Sequence, residues 1–429
     1  MIRTLLAAAF VCLAVVGCSG GGQPSTGSGG GPSTKIKHVV VIMQQSRSFD
    51  NLFNGFPGAD TASSGSNRGT TVALQQVLLT SKIAVDHSHP GWWADWDNGQ
   101  MDGFAHTPAA NQGLSYPEPT YPYAYVPQTE TVPYWTLAES YTLADKMYQS
   151  NTGPAFPAHQ YMIAGQSQDT DENPATPDGA TTSNWGCDAP ASATVDLLGP
   201  AGTDLPGIYP CFTYQTIADV LDAKGITWRY YAPAAGAPGY TWSAFDAIKD
   251  IRKGPDWTNN VISPNTQVLT DIANGTLAQV TWIVPATAYS DLATANETGQ
   301  GPNWVGNIVN EIGASQFWDS TAILISWDDW GGWYDHINPP QVDNMGLGFR
   351  VPLIVVSPYA KLGYVSHQQH EFGSFLHFTE EVFNLPSLGT RDATADDLAD
   401  CFDFGQTPQI YLPVPVTQGP SYFLNLKTD

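Results

Sequence analysis

Residues 321–340 read TAILISWDDWGGWYDHINPP, and the interpretation of the whole sequence starts from this stretch. Residues 323–327 are mostly apolar and rich in β-branched side chains, which predicts a buried strand. Two adjacent carboxylates, Asp328 and Asp329, follow at once, and a glycine pair comes next. Strand, acidic pair and glycine turn are together typical of an open α/β sheet, which presents ligands at the carboxyl ends of its strands.

The acidic pair predicts a metal site. Two neighbouring carboxylates repel each other, so protonation is favoured unless a cation or hydrogen-bond donors compensate their charge. A divalent metal ion is the usual partner, which makes Asp328 and Asp329 candidate metal ligands. The alternative is a turn with two solvated aspartates after an edge strand, since a short motif by itself is only a hypothesis.

Composition limits the class of partner. The chain has 429 residues, 42% of them hydrophobic, which is enough for a large core. It carries 16 Lys and Arg against 40 Asp and Glu, a formal net charge of −24. This balance argues against nucleic acids and anionic membrane surfaces as partners. With so few basic groups, a phosphate site would depend on a metal ion and backbone donors.

The N-terminus predicts export. Residues 1–17 combine Arg3 with a short apolar segment, as in a signal peptide. The segment ends in VVGC, which resembles a bacterial lipobox with Cys18 as the lipidated residue. Residues 18–34 are rich in Gly, Ser and Pro, as expected of a flexible tether, and residues 35–429 form one domain. We therefore expect a cell-envelope lipoprotein on the periplasmic or outer surface; an ordinary secretory signal is the alternative.

Three cysteines remain in the predicted domain. Cys187 and Cys211 lie in one Gly- and Pro-rich segment, and export implies an oxidising compartment, so we expect them to form a disulfide. Closing a loop of this length would contribute about 3 kcal/mol in the chain-entropy model. Cys401 is left over and is expected to be a buried thiol.

Strands alternate with helices over most of the chain, which predicts a mainly parallel sheet covered by helices. Residues 54–130 lack periodicity and are expected to form long loops above this sheet. Strands are expected at residues 35–43, 227–231, 279–284, 321–327 and 351–356. Helices are expected at residues 132–148, 212–223, 243–252, 266–274, 303–312 and 372–383.

Several separate segments resemble one family. HVVVIMQQSRSFDNLF at 38–53 is similar to the opening strand and loop of the bacterial phosphoesterase family that contains phospholipases C and a group of acid phosphatases. NGQMDGF, VTWIVP, SWDDWGGWYDHINPP and GFRVPLIVVSPYAKLGYVSH follow in family order. The resemblance implies an alkaline-phosphatase-like three-layer α/β/α sandwich with long loop insertions. It also implies phosphate-ester hydrolysis through a metal ion and a hydroxyl nucleophile.

Four positions depart from the family's site. Gln45 and Ser46 stand where the family has a glutamate and an asparagine for the metal and phosphate. Ala155 stands at the nucleophile position after Gly-Pro, and a methyl group cannot attack phosphorus. Leu292 replaces a histidine. Because a neutral amide is a weaker ligand than a carboxylate for a hard cation, the metal site is weakened as well.

Three positions keep the family's groups: His89, in a D-x-x-H pattern, and the metal ligands Asp328 and Asp329. The sequence thus predicts a phosphoesterase-family protein that is weakly active or inactive by the family mechanism, since losing a nucleophile costs orders of magnitude in rate. One alternative is an active metal-dependent hydrolase with a rearranged site, in which Ser150, Thr152 or a metal-activated water attacks.

A second alternative is a surface lipoprotein that binds glycans or lipid headgroups. Tryptophans cluster on the segment 92–96 and beside the acidic pair at 327–333, and exposed tryptophans over a polar cleft are typical of such sites. Packing in the core is the competing interpretation, because tryptophan is mostly buried on average.

Overall fold

The computed structural model describes residues 31–426, apart from residues 84, 107–119, 181, 201, 296 and 297. The predicted signal segment and Cys18 therefore lie outside the described residues, as do all but the last four residues of the tether. None of the helices in the described part is long and apolar enough to cross a membrane.

An eight-stranded sheet forms the centre of the protein, in the order β4-β3-β5-β1-β6-β7-β2-β8. All its strands run in the same direction except β7, which is antiparallel to both neighbours. The strands are β1 (His38–Gln44), β2 (Thr142–Ala144), β3 (Trp228–Tyr231), β4 (Val261–Ile262), β5 (Val280–Ile283), β6 (Thr321–Trp327), β7 (Leu353–Val356) and β8 (Tyr364–Ser366).

Helices cover this sheet in a three-layer α/β/α sandwich. One group of packed helices contains α3, α6 and α7, and another contains α4, α5 and α8. The helices are α1 (Phe49–Phe53), α2 (His89–Trp96), α3 (Val132–Ser140), α4 (Ala155–Ala164), α5 (Ile217–Lys224), α6 (Gln267–Ala273), α7 (Gly301–Gly313) and α8 (Phe372–Phe383). Shorter helical segments are Pro32–Lys35, Lys249–Lys253, Pro255–Asn260 and Pro420–Asn425.

The hydrophobic core runs along the two central strands. Every residue of β6 is buried, and in β1 only His38 is not fully buried. Strands buried on both faces need apolar side chains in both directions, which explains why their sequences are continuous Val, Ile and Leu runs rather than alternating ones.

The structure corrects several predicted element boundaries. The helix predicted at residues 132–148 ends at Ser140, because the apolar residues that follow form β2 and pair with β7 and β8. The helix predicted at 243–252 is a 3-10 turn, Ala244–Ala247, followed by Lys249–Lys253. Residues 54–130 contain α2, whose first turn is capped by the Ser88 hydroxyl accepting from Gly91 N.

The structure shows which cysteines of the domain are paired. Cys187 and Cys211 form a disulfide that ties a loop near Gly186 to the segment before α5. Cys401 is buried with a free thiol, and burial raises the pKa of that thiol far above its ordinary value. A thiol held in the neutral form is a poor nucleophile, so Cys401 is a packing residue.

Candidate active site

The acidic pair lies at the carboxyl edge of the sheet, where two central strands end side by side. In the parallel pair β1–β6, Gln44 is level with Trp327, so the residues after both strands leave the sheet together. The backbone N of Ser46 donates to Asp328 Oδ1 at 2.8 Å, and the backbone N of Asp328 donates to the carbonyl of Gln44 at 3.1 Å. The fold thus places the segment 44–46 against the acidic pair.

A glycine turn fixes the second aspartate. Gly331 N donates to Asp329 Oδ1 at 2.7 Å, and Asp329 N donates to Asp328 Oδ1 at 2.9 Å. Gly331 has a φ of +65°, and a Cβ there would lie 2.2 Å from the carbonyl oxygen of Ser46. Only glycine allows this close approach, so the turn and the loop after β1 form one rigid wall of the site.

Helix α4 contributes the next wall. His159 Nε2 lies 3.3 Å from Asp328 Oδ2 and 3.2 Å from the side-chain nitrogen of Gln45, and all three side chains are buried. Ala155 is the first residue of α4, four positions before His159, and residues spaced by four share one helix face. The structure therefore brings Gln45, Ser46 and Asp328 together, with Ala155 one helical turn before the imidazole that contacts them.

His89 is the first residue of α2 and contacts the loop before α4. Its Nδ1 is 2.9 Å from Thr152 Oγ1, its Nε2 accepts from Trp93 Nε1 at 2.9 Å, and Asp171 Oδ2 is 4.0 Å away. Since an indole N–H can only donate, Nε2 is the acceptor, and in the neutral ring the proton is on Nδ1.

The imidazole that interacts with Asp329 is that of His87. Burial lowers the pKa of His87, but Asp329, the carbonyl of Val85 and Asp86 together outweigh it, so the pKa is raised above its ordinary value. In turn, burial and Asp328 raise the pKa of Asp329, and His87 opposes them. Two buried carboxylates share one region of low dielectric, so the charge of Asp328 disfavours ionisation of Asp329.

Leu292 sits in apolar surroundings. It is partly buried and packs against the hydrophobic core, so no hydrogen-bonding group stands at this position. The preceding Asp291 accepts from Tyr134 Oη at 2.8 Å and from Trp327 Nε1 at 3.0 Å, and its carbonyl accepts from Arg47 Nε at 2.8 Å. These bonds tie the loop to the ends of the central strands.

The acidic edge fits a divalent cation. Gln45 Oε1 and Asp329 Oδ2 are buried without a hydrogen-bond partner among the described residues, and the buried Asp328 Oδ2 lies 3.3 Å from His159 Nε2. A buried carboxylate oxygen without a donor is costly, whereas amide and carboxylate oxygens are the ligands that hard cations prefer. These oxygens would hold the ion, which would supply the charge compensation that the protein itself provides only in part.

A different group of side chains could also hold a metal ion. Asp50, Asp335 and His336 place their ligand atoms within 4.8 Å of one another. However, Arg350 already donates to Asp335 from Nε at 2.8 Å and from Nη2 at 3.0 Å, and it lies 3.5 Å from Asp50 Oδ1. A buried guanidinium already provides positive charge here, so this group forms an ion-pair network that ties together the segments carrying Asp50, Asp335 and Arg350.

The tryptophans beside the acidic pair are not a binding surface. Trp327, Trp330 and Trp333 are at most 1% exposed, and Trp92 is fully buried. Of the tryptophans in the two segments, Trp93 is the most exposed at 42%. Core packing therefore accounts for most of these side chains, and the glycan-binding alternative loses its main observation.

Sequence reasoning missed four polar residues near the site: His87, His159, Asp171 and Glu172. His159 follows Ala155 at helical spacing in the segment AFPAHQY, and that spacing could have identified it. Glu172 accepts from His89 N at 2.8 Å, and burial raises its pKa to about 7. Asp171 and Glu172 lie in an irregular segment, and no periodicity in the sequence places them.

Fold and site together define a class: an α/β/α protein with a buried acidic pair at the carboxyl edge of a mainly parallel sheet. The chain belongs to the Phosphoesterase family, whose family model matches residues 36–386. Phosphate-ester hydrolysis is therefore supported at the level of the family.

Among curated proteins, the chain is similar to bacterial phospholipases C. It is 26% identical to the non-hemolytic phospholipase C of Burkholderia pseudomallei, over 90% of this chain and 63% of that protein. It is 24% identical to the non-hemolytic phospholipase C of Pseudomonas aeruginosa, over 86% of this chain and 57% of that protein. For phospholipase C B of Mycobacterium tuberculosis the identity is 24%, over 88% of this chain and 80% of that protein. The chain thus spans about three fifths of the length of the first two relatives.

Solved structures with a similar fold include a protein in the alkaline phosphatase superfamily from Vibrio parahaemolyticus. It has 9% sequence identity and a TM-score of 0.39, and the match covers 84% of this chain and 70% of that one. The lipoteichoic acid synthase LtaP from Listeria monocytogenes has 8% identity and a TM-score of 0.38, and the match covers 90% of this chain and 80% of that one.

Proposed function

We propose that the protein binds phosphate esters at the acidic edge of its sheet and hydrolyses them, by the family mechanism, weakly or not at all. The observation that carries this proposal is the position of Ala155. It is the first residue of α4, on the helix face that reaches Asp328 through His159. A side chain with a hydroxyl at this point could attack a phosphate held at the acidic pair, and a methyl group cannot.

The remaining substitutions act in the same direction. Gln45 supplies a neutral oxygen where a carboxylate would add charge, and Leu292 offers no proton donor to a leaving group or phosphate oxygen. The charged ligands Asp328 and Asp329 are present, so the capacity to hold a cation and a phosphate ester is retained better than the capacity to cleave it.

The test compares hydrolysis of an aryl phosphate and of a phosphodiester in the presence of added divalent metals. We expect the unaltered protein to be near the buffer rate and Ala155→Ser to raise it at least about tenfold, about 1.4 kcal/mol in the barrier. Adding Gln45→Glu, Ser46→Asn and Leu292→His should raise it further. Ala273→Ser, the same change at an exposed helix position, is the matched control. A high rate in the unaltered protein would contradict the proposal.

A second candidate is an active enzyme in which Thr152 replaces the lost nucleophile. Thr152 is buried, lies in the loop before α4 and is 2.9 Å from His89 Nδ1. Trp93 directs the proton of neutral His89 to Nδ1, so the imidazole donates to Thr152 and cannot accept its proton. Ser150 is engaged by Phe372 N. Thr152→Val should therefore leave any residual rate unchanged. Loss of that rate in the variant, together with a phosphorylated Thr152 seen by mass spectrometry in the unaltered protein, would favour this candidate.

The proposal includes export and anchoring through Cys18, and its supports are the VVGC segment and the composition of the tether. Labelling with a fatty-acid analogue in a bacterial host should modify the unaltered chain and not Cys18→Ser. Equal labelling of both chains, or of neither, would remove the anchor from the proposal and leave the site unaffected.

A further inference from the structure

The chain enters the domain at the edge of the sheet opposite to the acidic pair. Lys37, directly before β1, donates from its backbone N to the carbonyl of Ser320 at 2.8 Å, and Ser320 directly precedes β6. Both strands start here and run toward the acidic pair, and a strand of seven residues is about 23 Å long. The chain that comes from Cys18 therefore joins the domain at this edge, called the amino edge, away from the candidate active site.

Apolar side chains are exposed at the amino edge. The three most exposed large apolar side chains of the described residues are Ile410, Leu412 and Leu362, at 88, 75 and 63%. Tyr411, between the first two, is buried, and its ring centre lies 4.9 Å from that of Trp318, which closely precedes β6. The buried ring thus holds this segment on the amino edge and leaves both neighbours in solvent.

Leu362 belongs to the same surface, because it precedes β8, which runs in the same direction as β1. Gln409, next to Ile410, donates from its side chain to the carbonyl of Ala360 at 2.9 Å. The entering chain is also close, since Lys35 Nζ lies 5.5 Å from the centre of the Tyr359 ring. Leu362, Ile410 and Leu412 therefore form one surface beside the entry of the chain, called the amino-edge surface.

The charges beside the amino-edge surface are mixed, although the whole chain carries −24. They include the side chains of Lys35, Lys37, Lys361, Asp319, Asp400 and Asp403. A zwitterionic lipid presents both phosphate and ammonium groups, and each finds an opposite charge here. Exposed apolar side chains among mixed charges are suited to the boundary between headgroups and acyl chains.

The length of chain before the domain limits which side can meet a membrane. Cys18 and Gly31 are 13 positions apart, and a chain of that length spans at most about 45 Å. A compact domain of about 395 residues has a radius of gyration of about 21 Å and hence a diameter of roughly 55 Å. To place the carboxyl edge on the membrane, the chain would have to pass around the domain over roughly 70 Å, a quarter of its circumference plus one radius. The amino edge and the flanks remain, and the exposed apolar side chains select the amino edge.

We propose that the amino-edge surface lies on a zwitterionic lipid bilayer and inserts its three apolar side chains there, so that the acidic pair faces away from the membrane that holds the anchor. The inference rests on the export and anchoring included in the proposed function. It assigns a substrate class as well: phosphate esters that reach the site from the aqueous side, rather than lipids of the anchoring leaflet.

The experiment measures which edge contacts lipid. The lipidated full-length protein, purified from a bacterial host, is placed in phosphatidylcholine vesicles with an environment-sensitive fluorophore on Ile410→Cys or on Val342→Cys. Val342 is the control on the other side of the domain: its backbone N donates to the carbonyl of Gly346 at 2.8 Å, and a Cβ at Gly346 would lie 3.3 Å from the side chain of Thr152. Because interfacial side chains reach about 5–10 Å into the headgroup boundary, spin-labelled lipid should quench the label at 410 by at least about half and that at 342 by less than about a tenth.

A second variant tests the apolar contact itself. With the fluorophore on Leu362→Cys, adding Ile410→Asp and Leu412→Asp should lower the quenching at least about twofold, because two inserted side chains become charged. Leu78→Asp with Val342→Asp adds the same charge at exposed positions elsewhere and should leave the quenching unchanged. Equal quenching in the two double variants would overturn the inference.

The remaining outcomes separate this inference from the rest of the proposed function. If Cys18 carries no lipid, the anchor and the inference fail together, and phosphate-ester binding is unaffected. If Cys18 is lipidated and the labels at 410 and 342 are quenched equally, or the label at 342 more strongly, only the inference is overturned. With divalent metal added, phenylphosphonate should bind the vesicle-bound protein and the Cys18→Ser protein in solution equally well. Binding in solution that is lost on vesicles would overturn the orientation, whereas binding to neither protein would overturn the proposed phosphate-ester site and leave the orientation to the quenching result.

Discussion

Replacing Gln45 by glutamate tests whether the loop after β1 and the acidic pair form one electrostatic unit. Both Gln45 and Asp328 contact His159 Nε2, at 3.2 and 3.3 Å, so a carboxylate at position 45 cannot be more than about 6.5 Å from Asp328 Oδ2. Two unit charges at that distance repel by about 2.5 kcal/mol at the effective dielectric constant of 20 that suits protein sites. The pair would become a triad of buried carboxylates.

The expected result depends on metal. In a chelator at pH 8, Gln45→Glu should lower the free energy of unfolding by about 2–3 kcal/mol, because the new charge has no compensating cation. With saturating Zn²⁺ or Mn²⁺ the loss should shrink or reverse, because the same charge then attracts the bound ion and ligand binding stabilises the folded state. Urea unfolding followed by fluorescence, with and without metal, measures both quantities.

Gln316→Glu serves as the control, since Gln316 is exposed and outside the site, and a new surface charge should change stability by less than about 0.5 kcal/mol. The reasoning is refuted if Gln45→Glu matches this control in the chelator, or if the metal stabilises the variant less than it stabilises the unaltered protein. Either result would mean that position 45 does not share the electrostatic environment of Asp328.

Three further predictions concern the frame of the site and its pH response. Burial and a neighbouring acid raise the pKa of Glu380 from 4.5 to about 8, so between those pH values the folded chain keeps a proton that the unfolded chain has released. Stability should therefore fall as pH rises across this window, by up to about 1.4 kcal/mol per pH unit, and Glu380→Gln should flatten the slope seen by urea unfolding at pH 5.5 and 8. Gly331→Ala should lower the free energy of unfolding by well over 1 kcal/mol, because Gly331 has a φ of +65° and a Cβ there would collide with the carbonyl of Ser46. Gly389→Ala, at a φ of +74° but in open space, should lower it by only about 1 kcal/mol; thermal unfolding measures both. Arg350→Met should cost about 3–5 kcal/mol by leaving Asp335 buried without its partner, and equal stability of variant and unaltered chain in chemical unfolding would refute the ion-pair assignment.

The fold was predictable because its central strands carry their own signal. The apolar runs that become β1 and β6 are buried on both faces, and such runs are typical of a helix-covered parallel sheet. The segment after α3 was misjudged for a related reason: a short apolar stretch fits a helix and a buried strand equally well. Pairing with β7, which lies more than 200 residues later in the chain, decides that Thr142–Ala144 is a strand.

The site was predictable only where its residues follow strands or family motifs. Gln45 and Asp328 could be placed together because each follows a central strand. His87 was passed over because its interaction with Asp329 depends on how a long loop folds over the sheet edge. Asp171 was missed for the same reason, since its carbonyl packs against Gly153 through a contact that no sequence period encodes.

Two features of the site, the alanine at position 155 and the retained acidic pair, have opposite energetic consequences. This contrast favours a binding role. The family resemblance puts Ala155 at the nucleophile position, and a methyl group at this buried helix start needs no hydrogen-bond partner. Keeping Asp329 as a carboxylate is costly in the metal-free fold, because burial and the neighbouring Asp328 raise its pKa and its Oδ2 lacks a donor among the described residues. A bound cation removes that cost. A protein that had lost both catalysis and metal binding would gain stability from an amide at position 329, so the retained carboxylate supports the proposal that this site binds an ion and, through it, a phosphate ester.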